Sequence, residues 1–466
     1  TQTAEFTVPE GKTYPTVRLG IKSSNGNVPN GVSLTYSNIY IQDITNPFGE
    51  VDEDASVPSP TIKTVTAGSA IGTMPTELSL HGYQFDGWYD SQDATGNGVG
   101  TSYKTTDTVG ETNLHLFSHW KVAENTLTFD GNGGYATGTS ETHSVTVTYS
   151  STNYYDVSWL KPSRTGYAFD GWFDSEGAGA NVTQVYGSDG VCTNDGTYWK
   201  DNKWVRGLDT TVYAHWIANK YKVHFMGNGN TSGSMSDQPF TYDKAQNLTA
   251  NAFVKTGYTF SHWEMLQNSL YDTAEHNGVK ASSESGYNDF LRYTISAPFA
   301  AGDVYYLEFD VKGSGSLTNY FYGDNNYLQV AKIETSDGRV LTATDGANNV
   351  PLSSGYTHYT VKFTLGSSGN GNVNKYILFR ASPGTNVYVK NVAFGKINTG
   401  KTYTDKQNVS NLVSEPNGTA LLMAKWTANN FTLAYNANKP QTDGSVASMP
   451  NSQGLTYDTA SAISTT

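Results

Sequence analysis

The chain has 466 residues, a formal net charge of −13, 15% charged residues and 13% aromatic residues. Its Lys and Arg are scattered rather than clustered, which excludes a nucleic-acid groove and attraction to an anionic membrane surface. A single cysteine, Cys192, excludes an internal disulfide framework, and no run of about 20 apolar residues exists to span a membrane.

Tyr, Gly, Ser, Thr and Asn dominate what remains, with 32 Tyr and 47 Gly. Aromatic and β-branched residues favour pleated, half-buried surfaces, and Gly and Asn serve turns, so the expected class is mainly β with several domains. The sequence opens without Met, shows no signal peptide and stops in mid-pattern. It therefore reads as an internal segment of a longer protein.

In chain order, residues 1–45 alternate through "AEFTV" and "VSLTYSNIYIQDI" around Gly-rich turns, as the last half of a β-sandwich would. Residues 46–120 form a first small unit, with "GYQFDGW" from Gly82 and a closing apolar run "LHLFSHW" ending at Trp120. Residues 125–216 form a second, with "NTLTFDGNGG", "HSVTVTYSS", "GYAFDGW" from Gly166 and "TTVYAHW" ending at Trp216. A third begins at Tyr221 with "YKVHFMGNGN", carries "GYTFSHW" from Gly257 and closes with "ALLMAKW" at Trp426. Residues 430–466 start a fourth. The Asn-Gly pairs after the first strands of the second and third units predict tight turns.

From the motif Gly to the closing Trp the spacing is 38 residues in the first unit, 50 in the second and 169 in the third. Loop closure costs grow only logarithmically with length, so a long insertion is tolerated when it folds by itself. The excess in the second unit holds "YWKDNKWVRG" and fits a hairpin. The excess in the third is domain-sized. Residues 266–398 are thus expected to be an inserted β-sandwich, with 221–265 and 399–426 as its interrupted host. Its strands, such as "DVYYLEFDVKG" and "NVYVKNVAFGKI", alternate with period two.

The combination "TFDGNGG", "GYAFDGWF" and "VYAHW" resembles the Listeria–Bacteroides repeat, the internalin B-repeat type of bacterial surface proteins. The resemblance implies tandem ubiquitin-like β-grasp units with at most a short helix, placed here near Gly68–Pro75 and Ala245–Phe253. It also implies spacer and adhesin arms without catalytic residues. The insertion resembles jelly-roll carbohydrate-binding modules in strand order. Such modules often keep an Asp pair for structural calcium before the last strand, where this chain has Lys390 and Asn391.

The motif Trp residues recur at equivalent places and read as core of small units that need the burial. His119, His215 and His262 sit in separate units without ligand-spaced partners, so no metal is expected. The acidic stretch Glu50–Ser56 reads as a solvated loop rather than a calcium site, and no cofactor is assigned. There is no GxSxG elbow and no Cys/His set. Glu308 and Asp310 share the strand face opposite the core, but nothing raises their pKa, so no catalytic residue is assigned and the chain is not expected to be an enzyme.

The aromatic signal lies in "LTNYFYGDNNYLQ". Tyr320 and Tyr322 face away from a core-facing Phe321, with Asn326, Tyr327 and Gln329 following and Tyr306 and Glu308 on a neighbouring strand. Tyr rings with amides and a carboxylate suit a neutral glycan. The other reading is that this face packs against the host unit. Trp199 and Trp204, on a hairpin expected to be exposed, form a second candidate patch. The expected function is a segment of an extracellular adhesin on the wall or surface of a Gram-positive bacterium. Its repeats would form a rod, and its insertion would bind a glycan or a ligand on a host or neighbouring cell. A purely structural stalk, or an ancillary region of a secreted glycan-degrading enzyme, are the alternatives.

Overall fold

The computed structural model describes residues 64–463 apart from 77, 96, 113, 180, 296–298, 324–329, 343–345, 367–374, 398, 437 and 439–448. The half-sandwich expected in residues 1–45 and the Glu50–Ser56 loop lie outside the described residues. The chain divides into two compact units, Thr1–Lys121 and Val122–Thr466. Every regular element among the described residues is a β-strand.

In the first unit, β1 (Tyr83–Gln92) lies between β2 (Gly98–Tyr103) and β3 (Phe117–Val122). The helix expected over Gly68–Pro75 does not form. Gly68 and Gly72 both adopt positive φ, and the Ile71 and Gly72 amides bond to the carbonyls of Asp107 and Thr105, so the backbone is satisfied by a distant segment instead of its own turn.

The second unit begins with a five-stranded sheet. Its strands are β4 (Glu124–Asp130), β5 (Thr142–Thr148), β6 (Tyr167–Phe173), β7 (Gln184–Gly187) and, after the small hairpin β8 (Trp199–Lys200) and β9 (Lys203–Trp204), the closing strand β10 (Thr210–Ala218). The order is β5-β4-β10-β6-β7. The closing strand therefore occupies the centre, parallel to β4 and antiparallel to β6. This placement explains the elastic spacing in the sequence. The chain must leave after the GYxF strand and come back to fill the middle of the sheet, whatever its length in between.

The same order recurs with a far longer excursion. β11 (Lys220–Met226), β12 (Gln238–Thr241), β13 (Gln246–Asn247) and β14 (Tyr258–Met265) precede it. The helix expected over Ala245–Phe253 is replaced by β13, whose backbone finds its partners far along the chain. The excursion itself runs through β15 (Gln267–Asp272), β16 (His276–Lys280), β17 (Asn288–Ile295), β18 (Val304–Ser314), β19 (Leu317–Gly323), β20 (Val330–Thr335), β21 (Val340–Thr342), β22 (Gly346–Ala347), β23 (Thr357–Leu365), β24 (Lys375–Ala381) and β25 (Thr385–Lys396). After it come β26 (Thr402–Tyr403), β27 (Asn408–Val409), which pairs with β13, and the closing strand β28 (Thr419–Ala428). The host sheet is ordered β12-β11-β28-β14-β26. A hairpin of β29 (Asn430–Leu433) and β30 (Gln453–Thr456) follows.

The excursion forms two sheets on one core. One has seven strands, with β15-β25-β18-β23-β20-β21 in line and β16 also paired to β25; the other is β17-β24-β19-β22. Phe309, Phe321, Phe363, Phe379 and Phe394 fill the space between them, each with no exposed surface. Where the chain leaves and re-enters, Gln267 is paired with Lys396. The Thr399 amide donates to Glu264 Oε1 at 2.9 Å, and the Leu266 amide to the Leu421 carbonyl at 2.9 Å.

Candidate functional surfaces

Each of the three units builds its small core around one Phe held between two Trp. Phe85 lies 5.5 Å from Trp88 and 5.6 Å from Trp120; Phe169 lies 5.3 Å from Trp172 and 5.6 Å from Trp216; Phe260 lies 4.9 Å from Trp263 and 5.8 Å from Trp426. These are centroid distances; five of the six pairs meet edge to face, the geometry that aromatic quadrupoles favour, and Phe260–Trp263 is tilted at 56°. In the second and third units the closing Trp also donates its indole N–H to the first Gly after the opening strand: Trp216 to Gly131 and Trp426 to Gly227, both at 2.9 Å. The next residue, Asn132 or Asn228, adopts positive φ and donates its amide to the closing strand, at Ala214 or Ala424. The Gly-Asn-Gly sequence thus clasps the central strand as well as turning the chain.

These units match the Listeria-Bacteroides repeat domain. The matched segments are residues 50–119, 126–197 and 221–278. The second match ends before β10, and the third runs past β14 through β15 into β16. Over 297 residues, 63% of this chain, the sequence is 26% identical to a protein of Evansella cellulosilytica described, by name alone, as a membrane protein. Over 183 residues, 39% of this chain, it is 28% identical to another protein of that organism, described in the same way as a Gly-rich membrane protein. The chain spans only 34% and 18% of the lengths of these relatives. Their names and the repeat match are consistent with a surface-associated repeat protein. No helix among the described residues is long and apolar enough to cross a membrane.

Of the expected glycan-facing cluster, Tyr306 and Glu308 stand on a different sheet from Tyr320. β18 and β19 are consecutive in sequence but belong to opposite sheets, the chain crossing over at Gly313 and Gly315, both at positive φ. Tyr306 and Glu308 therefore point out of one side of the sandwich and Tyr320 out of the other. Tyr306 is 3% exposed and Glu308 6%, because the third repeat covers them. Tyr320 stays half-buried on the outer face of the four-stranded sheet, under the Arg380 guanidinium. The Tyr322 side chain, Asn326, Tyr327 and Gln329 lie outside the described residues.

Trp199 and Trp204 are fully buried, contrary to the expected exposure. Asp201 and Asn202 make a two-residue turn with φ of 52° and 60°, so the exposed tip is Lys-Asp-Asn-Lys and the flanking indoles fold inward. The two rings meet edge to face at 5.3 Å, and Trp199 packs on Tyr186 at 5.8 Å. The Ser150 amide donates to the Trp204 carbonyl, which closes the hairpin over the repeat core. Cys192, also buried in that core, has its thiol pKa pushed up by burial.

The alternative reading, that this face packs against the host unit, describes Tyr306; the sequence reading did not name the host residues of that seam between the third repeat and its inserted body. One face of β28 supplies Ala420, Leu422 and Ala424 to the repeat's own core; the other supplies Leu421 and Met423 to a second cluster. There they meet Met226 from β11 and Tyr306, Ala393 and Ile397 from the insertion. A sequence signal existed. In the second repeat, which carries no such body, the equivalent outward positions are Asp130, Thr211 and Tyr213, all partly exposed. In the third they are Met226, Leu421 and Met423, all buried.

A chain of charges borders this seam. Glu308 Oε1 lies 3.6 Å from His224 Nε2 of the repeat, and its Oε2 lies 3.7 Å from His358 Nε2 of the insertion. His224 Nδ1 is 2.7 Å from Asp237, which also pairs with Lys222, and His358 Nδ1 is 3.1 Å from Asp310. Asn391, at the β25 bulge, donates to Asp310 at 2.7 Å. Burial pulls both His residues down, but the flanking carboxylates outweigh it and hold each pKa above its ordinary value. Burial likewise pushes Glu308 up, and the two imidazoles bring it net below the usual carboxylate range. Among the described residues no group of three or more His, Cys, Asp or Glu is arranged to hold a metal ion.

Proposed function

We propose that this chain is a non-catalytic length of an extracellular bacterial surface protein. Its Listeria-Bacteroides repeats act as a scaffold and carry the inserted two-sheet body in a fixed attitude. The observation that supports this most is the seam. A tethered passenger would hang from its two connections. Here the repeat sheet packs Met226, Leu421 and Met423 against the insertion, and a buried carboxylate sits between imidazoles from both partners. Spin labels on the third repeat and on the insertion are expected to report a single narrow distance; a broad distribution would overturn the scaffold reading. An antibody raised against the chain is expected to label intact cells, and labelling only after lysis would rule out a surface location.

A second reading keeps a glycan contact, moved to the outer face of the four-stranded sheet. Tyr287 is 64% exposed there, and the Arg380 guanidinium stacks between its ring and that of Tyr320 while pairing with Asp289. Rings for the apolar side of a sugar and charged groups for its hydroxyls are the needed parts. A glycan array probed with the whole chain and with Tyr320→Ala tests it. Binding lost in the variant supports this surface, and absence of binding to every glycan leaves the scaffold role alone.

A further inference from the structure

Successive repeats in the second compact unit meet through one set of contacts, formed twice from unrelated stretches of chain. At the first junction the Tyr167 hydroxyl donates to Asp243 Oδ2 at 2.6 Å, and its ring meets that of Tyr242 at 5.7 Å and 72°. At the next, the Tyr258 hydroxyl donates to Asp458 Oδ2 at 2.9 Å, and its ring meets that of Tyr457 at 5.6 Å and 75°. The backbone repeats as well. Asn219 donates to the Gly166 carbonyl and accepts from the Tyr242 amide; Asn429 donates to the Gly257 carbonyl and accepts from the Tyr457 amide. A cation backs each motif Tyr: Arg164 over Tyr167 at 4.1 Å and Lys255 over Tyr258 at 4.8 Å.

The motif glycines complete the arrangement. Gly166 has φ of +81° and Gly257 of +78°. A Cβ at either position would fall on the ring of the following repeat, 2.2 Å from Tyr242 or 2.3 Å from Tyr457. Glycine is thus required twice over, by backbone conformation and by the close approach of the next repeat.

We propose that this cation-x-Gly-Tyr segment and the Asn after the closing strand form a docking site whose partner is the Tyr-Asp end of the following repeat's second strand, so that the motif encodes the angle between repeats. The site is distinct from the seam that carries the inserted body, since none of its residues belongs to that apolar cluster. Its recognition elements are short, local and polar at the rim. Repeats of different core sequence can therefore be joined in series through the same contacts, as they are at the two junctions.

The test places spin labels on the second and third repeats of the whole chain, one in each, and compares the parent with Tyr242→Ala and Gly166→Ala. The parent is expected to give one narrow distance. Tyr242→Ala, which leaves both repeat cores untouched, is expected to lose that single narrow distance, and Gly166→Ala to shift it as well as broaden it. Tyr167→Phe, which removes only the hydroxyl, is expected to broaden it less than Tyr242→Ala. A distribution unchanged in mean and width in Tyr242→Ala would overturn the proposal. Should Gly166→Ala fail to fold, Tyr242→Ala and Tyr167→Phe decide the matter alone.

Discussion

Replacing Leu421 by Thr, the residue that the second repeat carries at the equivalent position, probes whether the inserted body is truly packed on its host. Leu421 has no exposed surface and lies in the seam cluster, whereas its neighbour Leu422 belongs to the repeat's own core. The change removes roughly two carbons' worth of apolar burial, at about 0.8 kcal/mol each. It also places a hydroxyl in an apolar pocket, at a cost of about 1–3 kcal/mol. The sum is about 2.6–4.6 kcal/mol, taken from docking rather than from the repeat fold. Hydrogen exchange read by mass spectrometry should show it. Amides of β15, β18 and β25 near the seam are expected to lose about two to three decades of protection, at about 1.4 kcal/mol per decade, while Val223 and Phe225 keep theirs. The reverse change in the second repeat, Thr211→Leu, should alter stability by no more than about 0.5 kcal/mol, because that face stays partly exposed. Equal protection in Leu421→Thr and the parent would refute the reasoning, since a fully buried leucine in a real interface cannot be exchanged for threonine without cost.

The remaining predictions concern charge and aromatic burial. Because the His224 and His358 pKa values are raised, their contribution to the seam is complete below the unfolded value of about 6.5 and is lost as pH climbs through the folded values. Glu308, Asp237 and Asp310 are depressed, so their contribution holds above about 4 and fades below it. Seam protection should therefore peak between these limits and weaken at alkaline pH, and Glu308→Gln should flatten the alkaline limb; a profile unaffected by that substitution would count against the network. Trp199→Ala should destabilise the second repeat by about 3–5 kcal/mol in urea unfolding, whereas an exposed tip residue would cost almost nothing. Trp426→Phe keeps most of the ring packing but leaves the Gly227 carbonyl without its indole donor, for an expected loss of about 1–3 kcal/mol. No measurable change in denaturation midpoint would show that the clasp contributes nothing.

Much of this protein was legible in its sequence because a repeated motif writes its own core. GYxF and the closing Trp announce the Phe-between-Trp packing, and alternation announces strands. The contrast of Asp130, Thr211 and Tyr213 with Met226, Leu421 and Met423 even marks which repeat is covered on both faces. The tertiary structure decided what lies opposite each outward face. A period of two separates the sides of a strand but does not say which sheet the strand joins, so Tyr306 and Tyr320, fourteen positions apart, were free to end on opposite surfaces. Nor does it say whether a hairpin stands off or folds back. Trp199 gains more from burial against Tyr186, and Trp204 against Trp199 and Tyr198, than either would from solvent, and only the finished repeat offers that surface. Local pattern fixes the strands because its forces act between neighbours in the chain. Their neighbours in space depend on backbone pairing and apolar contact summed over the whole fold.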